Sequence, residues 1–328
     1  MIFLSADWGT TLFRLRLIDS TTVVAKHTAG SGISATYAQW QRSELPETER
    51  IGFYRAIIEH AIGEWRIDLH GVPLVVSGMA SSSIGMLELP YKPLPFDVTG
   101  ADLRPTVLPP TKDSPRTVYL LPGVRSADDV MRGEETQLVG ALAASPGDGV
   151  FLFPGTHSKH ILVRDGQAVA FKTYMTGEIF GLLAGKSILA ASVTAPGQTA
   201  APGEPFFAGV AAAARGAGLL HNAFLTRTNQ LFNKYTKKDN YHFLSGLLIG
   251  EELRELASGE SDPADPTVAW RTMPPAITLV ATSPLRESYT AALAFLGFRQ
   301  VTAIDADEAL VAGQSVLLTR FGATIAPI

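Results

Sequence analysis

Cysteine is absent from the 328 residues. That excludes a disulfide framework and any zinc site built on thiolates, and a cytoplasmic location is the expectation. No run of Lys and Arg stands out, and the formal net charge is −4. Without clustered cations a chain cannot neutralise a phosphate backbone, so nucleic acid is not an expected partner. No apolar stretch reaches the roughly 18 uninterrupted residues of a membrane span, so no membrane partner is expected either. The apolar residues 2–4 follow no basic segment and give way to Asp7, which does not read as a signal peptide. A G-x-G-x-x-G after a strand and a G-x-S-x-G are both missing, which removes the dinucleotide-binding fold and the α/β-hydrolases. "GLLAGKS" at 181–187 is one residue short of a Walker A loop and has no strand before it, so it reads as helix.

What is present is an alternation of short apolar strands with helical patterns, the mark of an α/β protein. Hydrophobic residues make up 46% and charged residues 18%, enough for a large core. The length exceeds one average domain, so one large α/β unit or two packed lobes is expected. Strands are expected at 2–7, 12–19, 22–28, 73–78 and 117–123, and helices at 49–65 and 132–145. Prolines at 90, 93, 95, 105, 109, 110 and 115 forbid regular helix across that stretch and predict extended structure. Further on, helices are expected at 177–191, 206–235, 241–257, from Ser283 to Gly297, and at 306–319. A strand is expected at 276–282, and surface loops at 194–205 and 258–266.

A weak repeat links residues 2–28 with 149–173. Each has a buried strand, a glycine turn carrying hydroxyl groups, a second strand, a hairpin and a third strand. The two turns are "DWGTT" and "PGTHSK". Backbone N–H groups in such turns form anion nests, and hydroxyls add donors. A carboxylate beside phosphate is repulsive unless a cation intervenes, and Mg²⁺ is the usual one. Asp7 is therefore expected to face a metal, with Gly9, Thr10 and Thr11 facing phosphate. Gly155, Thr156, Ser158 and Lys159 form the second expected phosphate segment. Each turn, taken alone, also reads as an ordinary polar turn; the pairing favours phosphate.

"SGMASSSIG" at 77–85 follows a buried strand, at the end where open α/β sheets bind ligands, so Met79, Ala80 and Ser81 are expected on the substrate side. Arg132, Glu134 and Glu135 open a helix, as does Glu178 of "MTGE". Their carboxylates favour the helix dipole, or serve a metal or sugar hydroxyls, while Arg132 suits an anionic substrate. His157 and His160 lack a convincing third ligand for a metal site.

In that order and at these spacings, "DWGTT", "VMRGEETQL", "PGTHSK", "MTGE" and "FLSGLLIG" resemble the 2-dehydro-3-deoxygalactonokinase family. That family belongs to the actin-like ATPase and sugar-kinase superfamily. The likeness runs from Asp7 to the last helix. It implies a duplicated ribonuclease H-like fold of two lobes closing around ATP. It implies ATP-dependent phosphorylation of 2-dehydro-3-deoxy-D-galactonate at the 6-hydroxyl, with Mg²⁺, and leaves open a homo-oligomer. The lobes are expected at 1–131 and 132–328, with the last helix packing back on the first lobe. Gly246, Gly250, Thr282, Ser283 and Leu285 are expected on the adenosine side, and Arg132, Glu135 and Glu178 on the substrate side. Where relatives in the wider superfamily carry an aspartate base, this chain has Thr156, His157 and Ser158. His157 is the candidate base, with Glu134, Glu135 and Asp7 as rivals.

Overall fold

The computed structural model describes residues 1–197, 201–258 and 276–322. Most of the expected 258–266 loop lies outside them. The chain forms two compact units, one of Met1–Gly147, Gly166–Ala168 and Asp307–Ile328, the other of Asp148–Asp165 and Val169–Ala306.

The first unit begins with β1 (Ile2–Trp8), β2 (Phe13–Asp19), β3 (Thr22–Ala29), α1 (Ile33–Arg42), α2 (Arg50–Gly63) and β4 (Leu74–Gly78). Short strands follow: β5 (Lys92–Pro93), β6 (Phe96–Asp97), β7 (Thr106–Leu108), β8 (Val118–Leu120), β9 (Val124–Arg125) and β10 (Val130–Met131). Helix α3 (Glu134–Ala144) comes next. The main sheet runs β3-β2-β1-β4-β8-β7. β1 is antiparallel to β2 and parallel to β4, so Asp7 pairs with Arg14 on one side and with Ser77 on the other. Phe3, Leu4, Ala6 and Trp8 are wholly buried, which is why this strand is apolar on both faces. Tyr54, Ile58, Ala61 and Ile62 supply the covering face of α2.

The second unit holds β11 (Gly149–Phe153), β12 (Ser158–Arg164), most of β13 (Gln167–Tyr174), α4 (Thr176–Lys186), α5 (Glu204–Ala214), α6 (Leu219–Leu231) and α7 (Lys237–Ser258). It closes with β14 (Ile277–Val280), α8 (Leu285–Phe295) and β15 (Val301–Ile304). Its strands run β15-β14-β11-β12-β13. The order and direction match β8-β4-β1-β2-β3, so the repeat read in the sequence is a repeat of topology.

Two expectations change here. The helix expected over 206–235 is two helices, because Gly216 and Gly218 turn the chain with φ of +74° and +86°. The division falls after Gly147 rather than at 131, because α3 packs on the final helix, α9 (Ala306–Phe321). Their backbones touch at Gly140 and Gly313. A Cβ on either would lie 1.8 Å from the Ala309 carbonyl oxygen or 1.9 Å from that of Thr136. From α9, the Gln314 amide donates to the Ala6 carbonyl at 3.0 Å and to Ser77 Oγ at 2.9 Å, beneath the end of β1. Among the described residues no helix is long and apolar enough to cross a membrane.

Candidate active site

The first turn joins β1 to β2 and is closed by the Gly9 N–H donating to the Leu12 carbonyl at 2.9 Å. The carbonyls of Gly9, Thr10 and Thr11 accept from Ile33, Ser34 and Gly32 at the start of α1. Helix α1 is thereby seated on the turn, and Gly32 makes the fit possible. A Cβ there would lie 2.2 Å from the Thr11 carbonyl carbon. Thr10 and Thr11 are exposed, and no acceptor among the described residues takes their N–H groups. Beside them, Asp7 Oδ2 accepts from Arg14 Nη1 at 2.9 Å. Burial raises the Asp7 carboxyl above its ordinary range, and Arg14 offsets this only in part.

The same construction recurs in the second unit. Helix α4 is seated on the 154–158 turn, with the Glu178 N–H donating to the Thr156 carbonyl at 3.0 Å. Gly177 stands where Gly32 stands, and a Cβ there would lie 2.5 Å from the Gly155 carbonyl oxygen. Thr156 and His157 are exposed. His157 Nε2 is bonded to the Glu178 carboxylate. A pocket of about 280 Å³ opens beside this turn, lined by Gly155, Gly177, Phe180, Tyr241, Leu285 and Tyr289 among others. Phe180 and Tyr241 meet edge to face, with centroids 4.9 Å apart. A hydroxyl-bearing glycine turn at one end and an aromatic wall beside it suit a nucleotide.

The family model for 2-keto-3-deoxy-galactonokinase matches residues 7–317. The chain belongs to the 2-keto-3-deoxy-galactonokinase family. A Rhizobium meliloti (strain 1021) protein assigned as a 2-dehydro-3-deoxygalactonokinase is 32% identical over 95% of each chain. The 2-dehydro-3-deoxygalactonokinase of Escherichia coli (strain K12) is 28% identical over the same share. A crystal structure of a Sinorhizobium meliloti protein with the same assignment superposes with a TM-score of 0.80 at 28% identity, covering 99% of this chain and 98% of that one. In fold alone, the chain also resembles the activator of 2-hydroxyisocaproyl-CoA dehydratase from Clostridium difficile, solved with bound ADPNP. That match has a TM-score of 0.50 at 11% identity and covers 100% and 99% of the chains. The fold is thus the actin-like ATPase fold, and membership of this kinase family implies use of ATP.

Within the family framework several expected site residues prove to be supports. Arg132 donates from Nη1 to the Ser81 carbonyl and, at 2.7 Å, to Ser81 Oγ, from Nε to Tyr91 at 3.0 Å, and from Nη2 to the Leu89 carbonyl at 3.3 Å. Its guanidinium also stacks 4.0 Å from the Tyr91 ring centroid. Four of its five donors are occupied, so Arg132 clamps the 81–91 loop rather than presenting a fork to an acid. Ala80 and Ser81 are buried, leaving half-buried Met79 as the side chain of that trio nearest solvent.

Glu135 is also buried. Its carboxylate accepts the Gly133 N–H at 2.8 Å and the Thr136 hydroxyl at 3.0 Å. Burial, then the neighbouring Glu134, raise it to about 7. Glu134 itself accepts the Arg132 N–H at 3.1 Å.

Ser158 is fully buried, accepts the Gly155 N–H at 3.4 Å and meets Tyr289, so Ser158 and the Gly155 amide both point inward. Lys159 is buried too and donates to the His157 carbonyl. Gly246 and Gly250 lie in the crossing of α5 and α7, where a Cβ would press on Phe206 or on Val210 and Ala213. They are packing glycines. Thr282 and Ser283 are exposed, with Ser283 Oγ donating to Glu287 at 2.6 Å. Of the expected adenosine group, Leu285 lines the pocket.

His157 and His160 part ways, since His160 is buried against Glu252. No cluster of three metal-ligating side chains occurs among the described residues. "GLLAGKS" lies within and just past α4. Gly32 and the start of α1 follow β3 with no capping residue or motif in the sequence to mark them as part of the site.

Proposed function

We propose that this chain transfers the terminal phosphoryl group of ATP to the 6-hydroxyl of 2-dehydro-3-deoxy-D-galactonate. The observation that carries the reading is the hydroxyl-bearing turn built twice, each copy held by a helix seated through a glycine. In the first unit, Thr10 and Thr11 offer amides and hydroxyls to phosphate oxygens. In the second, Thr156 does the same, and the aromatic-walled pocket takes the nucleoside.

Asp7 fits Mg²⁺, which is typically held by one or two carboxylates with phosphates and water. Bound there, the ion would neutralise phosphate charge. His157 is the acceptor's base. Glu178 engages Nε2, which leaves Nδ1 to take the proton as the hydroxyl oxygen bonds to phosphorus and the bond to ADP breaks. Glu178 then balances the imidazolium. It orients the base rather than gripping the sugar acid. Because ATP is supplied in the cytoplasm, the reaction belongs there.

The test is ADP release over a panel of 2-keto-3-deoxy acids. The galactonate derivative is expected to be fastest, with the phosphate on its terminal oxygen. Preference for another acid would replace the acceptor. ATP turnover indifferent to every acid would replace the kinase reading with a nucleotide-dependent interaction protein.

A further inference from the structure

Behind the second turn lies a buried carboxylate with no place in the chemistry above. Glu252 of α7 is 3% exposed. Its Oε1 faces His160 Nε2 at 2.9 Å, and its Oε2 accepts from Tyr289 at 2.6 Å and from the Thr176 hydroxyl. Tyr289 Oη is in turn 3.1 Å from Ser158 Oγ, which accepts the Gly155 N–H.

The proton order in this chain is fixed from one end. Tyr289 donates its one hydrogen to Glu252, so its oxygen is left to accept from Ser158. Ser158 donates its one hydrogen to Tyr289, and its oxygen is left to accept from Gly155. Burial and Glu252 together hold the Tyr289 phenol well above its ordinary range, in keeping with a proton that stays put. The second branch, through Thr176, holds the start of α4, where Gly177 abuts the turn and Glu178 meets His157.

We propose that Glu252 is a positioning residue that sets the 154–158 turn and the His157–Glu178 pair through Tyr289, Ser158 and Thr176, without touching ligand. The proposal rests on reading that turn as a phosphate element. It makes Ser158 and Glu252 one device although they do not touch each other.

A double-mutant cycle tests it, with MgADP as the calorimetric probe and no sugar acid present. Ser158→Ala, Tyr289→Phe and Glu252→Gln each break the chain. Each is expected to weaken MgADP about three- to tenfold, the worth of one net hydrogen bond. Ser158→Ala combined with Glu252→Gln is expected to be no worse than the worse single variant. Losses that multiply, or singles that melt earlier yet bind MgADP like the parent, would overturn the proposal. If Glu252→Gln does not fold, Glu252→Asp, which keeps the charge and shortens the reach to Tyr289, takes its place in the cycle with Ser158→Ala. A parent that binds MgADP but phosphorylates no acid refutes the kinase reading and leaves this test standing.

Discussion

Arg14 Nη1 stands 2.9 Å from Asp7 Oδ2 across the β1–β2 ladder. The pair explains why a carboxylate is tolerated at the end of a strand whose neighbours are all core. Burial still holds the Asp7 carboxyl above its ordinary range despite this partner.

Replacing Asp7 with Asn keeps the shape and removes the charge. Turnover at saturating Mg²⁺ is expected to fall by roughly 10²–10³, the scale of losing one preorganised electrostatic group. The melting temperature should change little, because Arg14 is about one-third exposed and can be solvated when its partner is neutral. Retention of more than about a tenth of the parent rate, a loss under roughly 1.4 kcal/mol, would remove Asp7 from the chemistry.

The two seating glycines should fail alike. Gly32→Ala and Gly177→Ala each place a methyl group well inside contact distance of the turn backbone. Both are expected to lower kcat/KM for ATP at least about tenfold as the turn is pushed aside. Gly52→Ala, a helical position with nothing within 4 Å, is the control and should gain up to about 1 kcal/mol of stability. Parent-like ATP kinetics in either seating variant would show that its turn does not bind phosphate.

Stability should also carry the mark of Glu135. Its carboxyl titrates near 7 when folded, against an ordinary 4.5. Between those values the folded chain holds a proton that the unfolded chain has released. Its contribution is therefore full below about pH 4.5, falls as the pH rises, and is gone above about pH 7, amounting to about 3 kcal/mol at most. Asp7, raised in the same direction, adds to the slope. Urea midpoints at pH 5 and pH 8 measure it. The drop should shrink in Glu135→Gln, and an equal drop in both proteins would place the titration elsewhere.

The parts of the fold visible in sequence were those fixed by local pattern. The strands at 2–7 and 12–19 and the apolar stripe of α3 appear where alternation and helical spacing put them. The two turns could be read because each sets glycine beside hydroxyls within a few residues, with a carboxylate added in the first. What could not be read was direction. Arg132, Ser158 and Glu135 have the right chemistry for ligands, but packing turned each toward partners within the fold, and packing depends on elements far along the chain. Glu252 meets His160 across 92 residues and Tyr289 across 37. The family resemblance put Gly246 and Gly250 on the adenosine side, and close helix packing and close ligand approach both demand glycine.

The lock between α3 and α9 has a consequence for how the chain is made. Gln314 holds the end of β1 from 308 residues away. On the ribosome the sheet of the first unit emerges before the second unit, yet the helix that covers this part of it emerges after it. The whole second unit, from Asp148 to Ala306, is synthesised in between. The later-made unit can therefore finish folding while the earlier one still waits, inverting the usual N-to-C order of domain completion during synthesis.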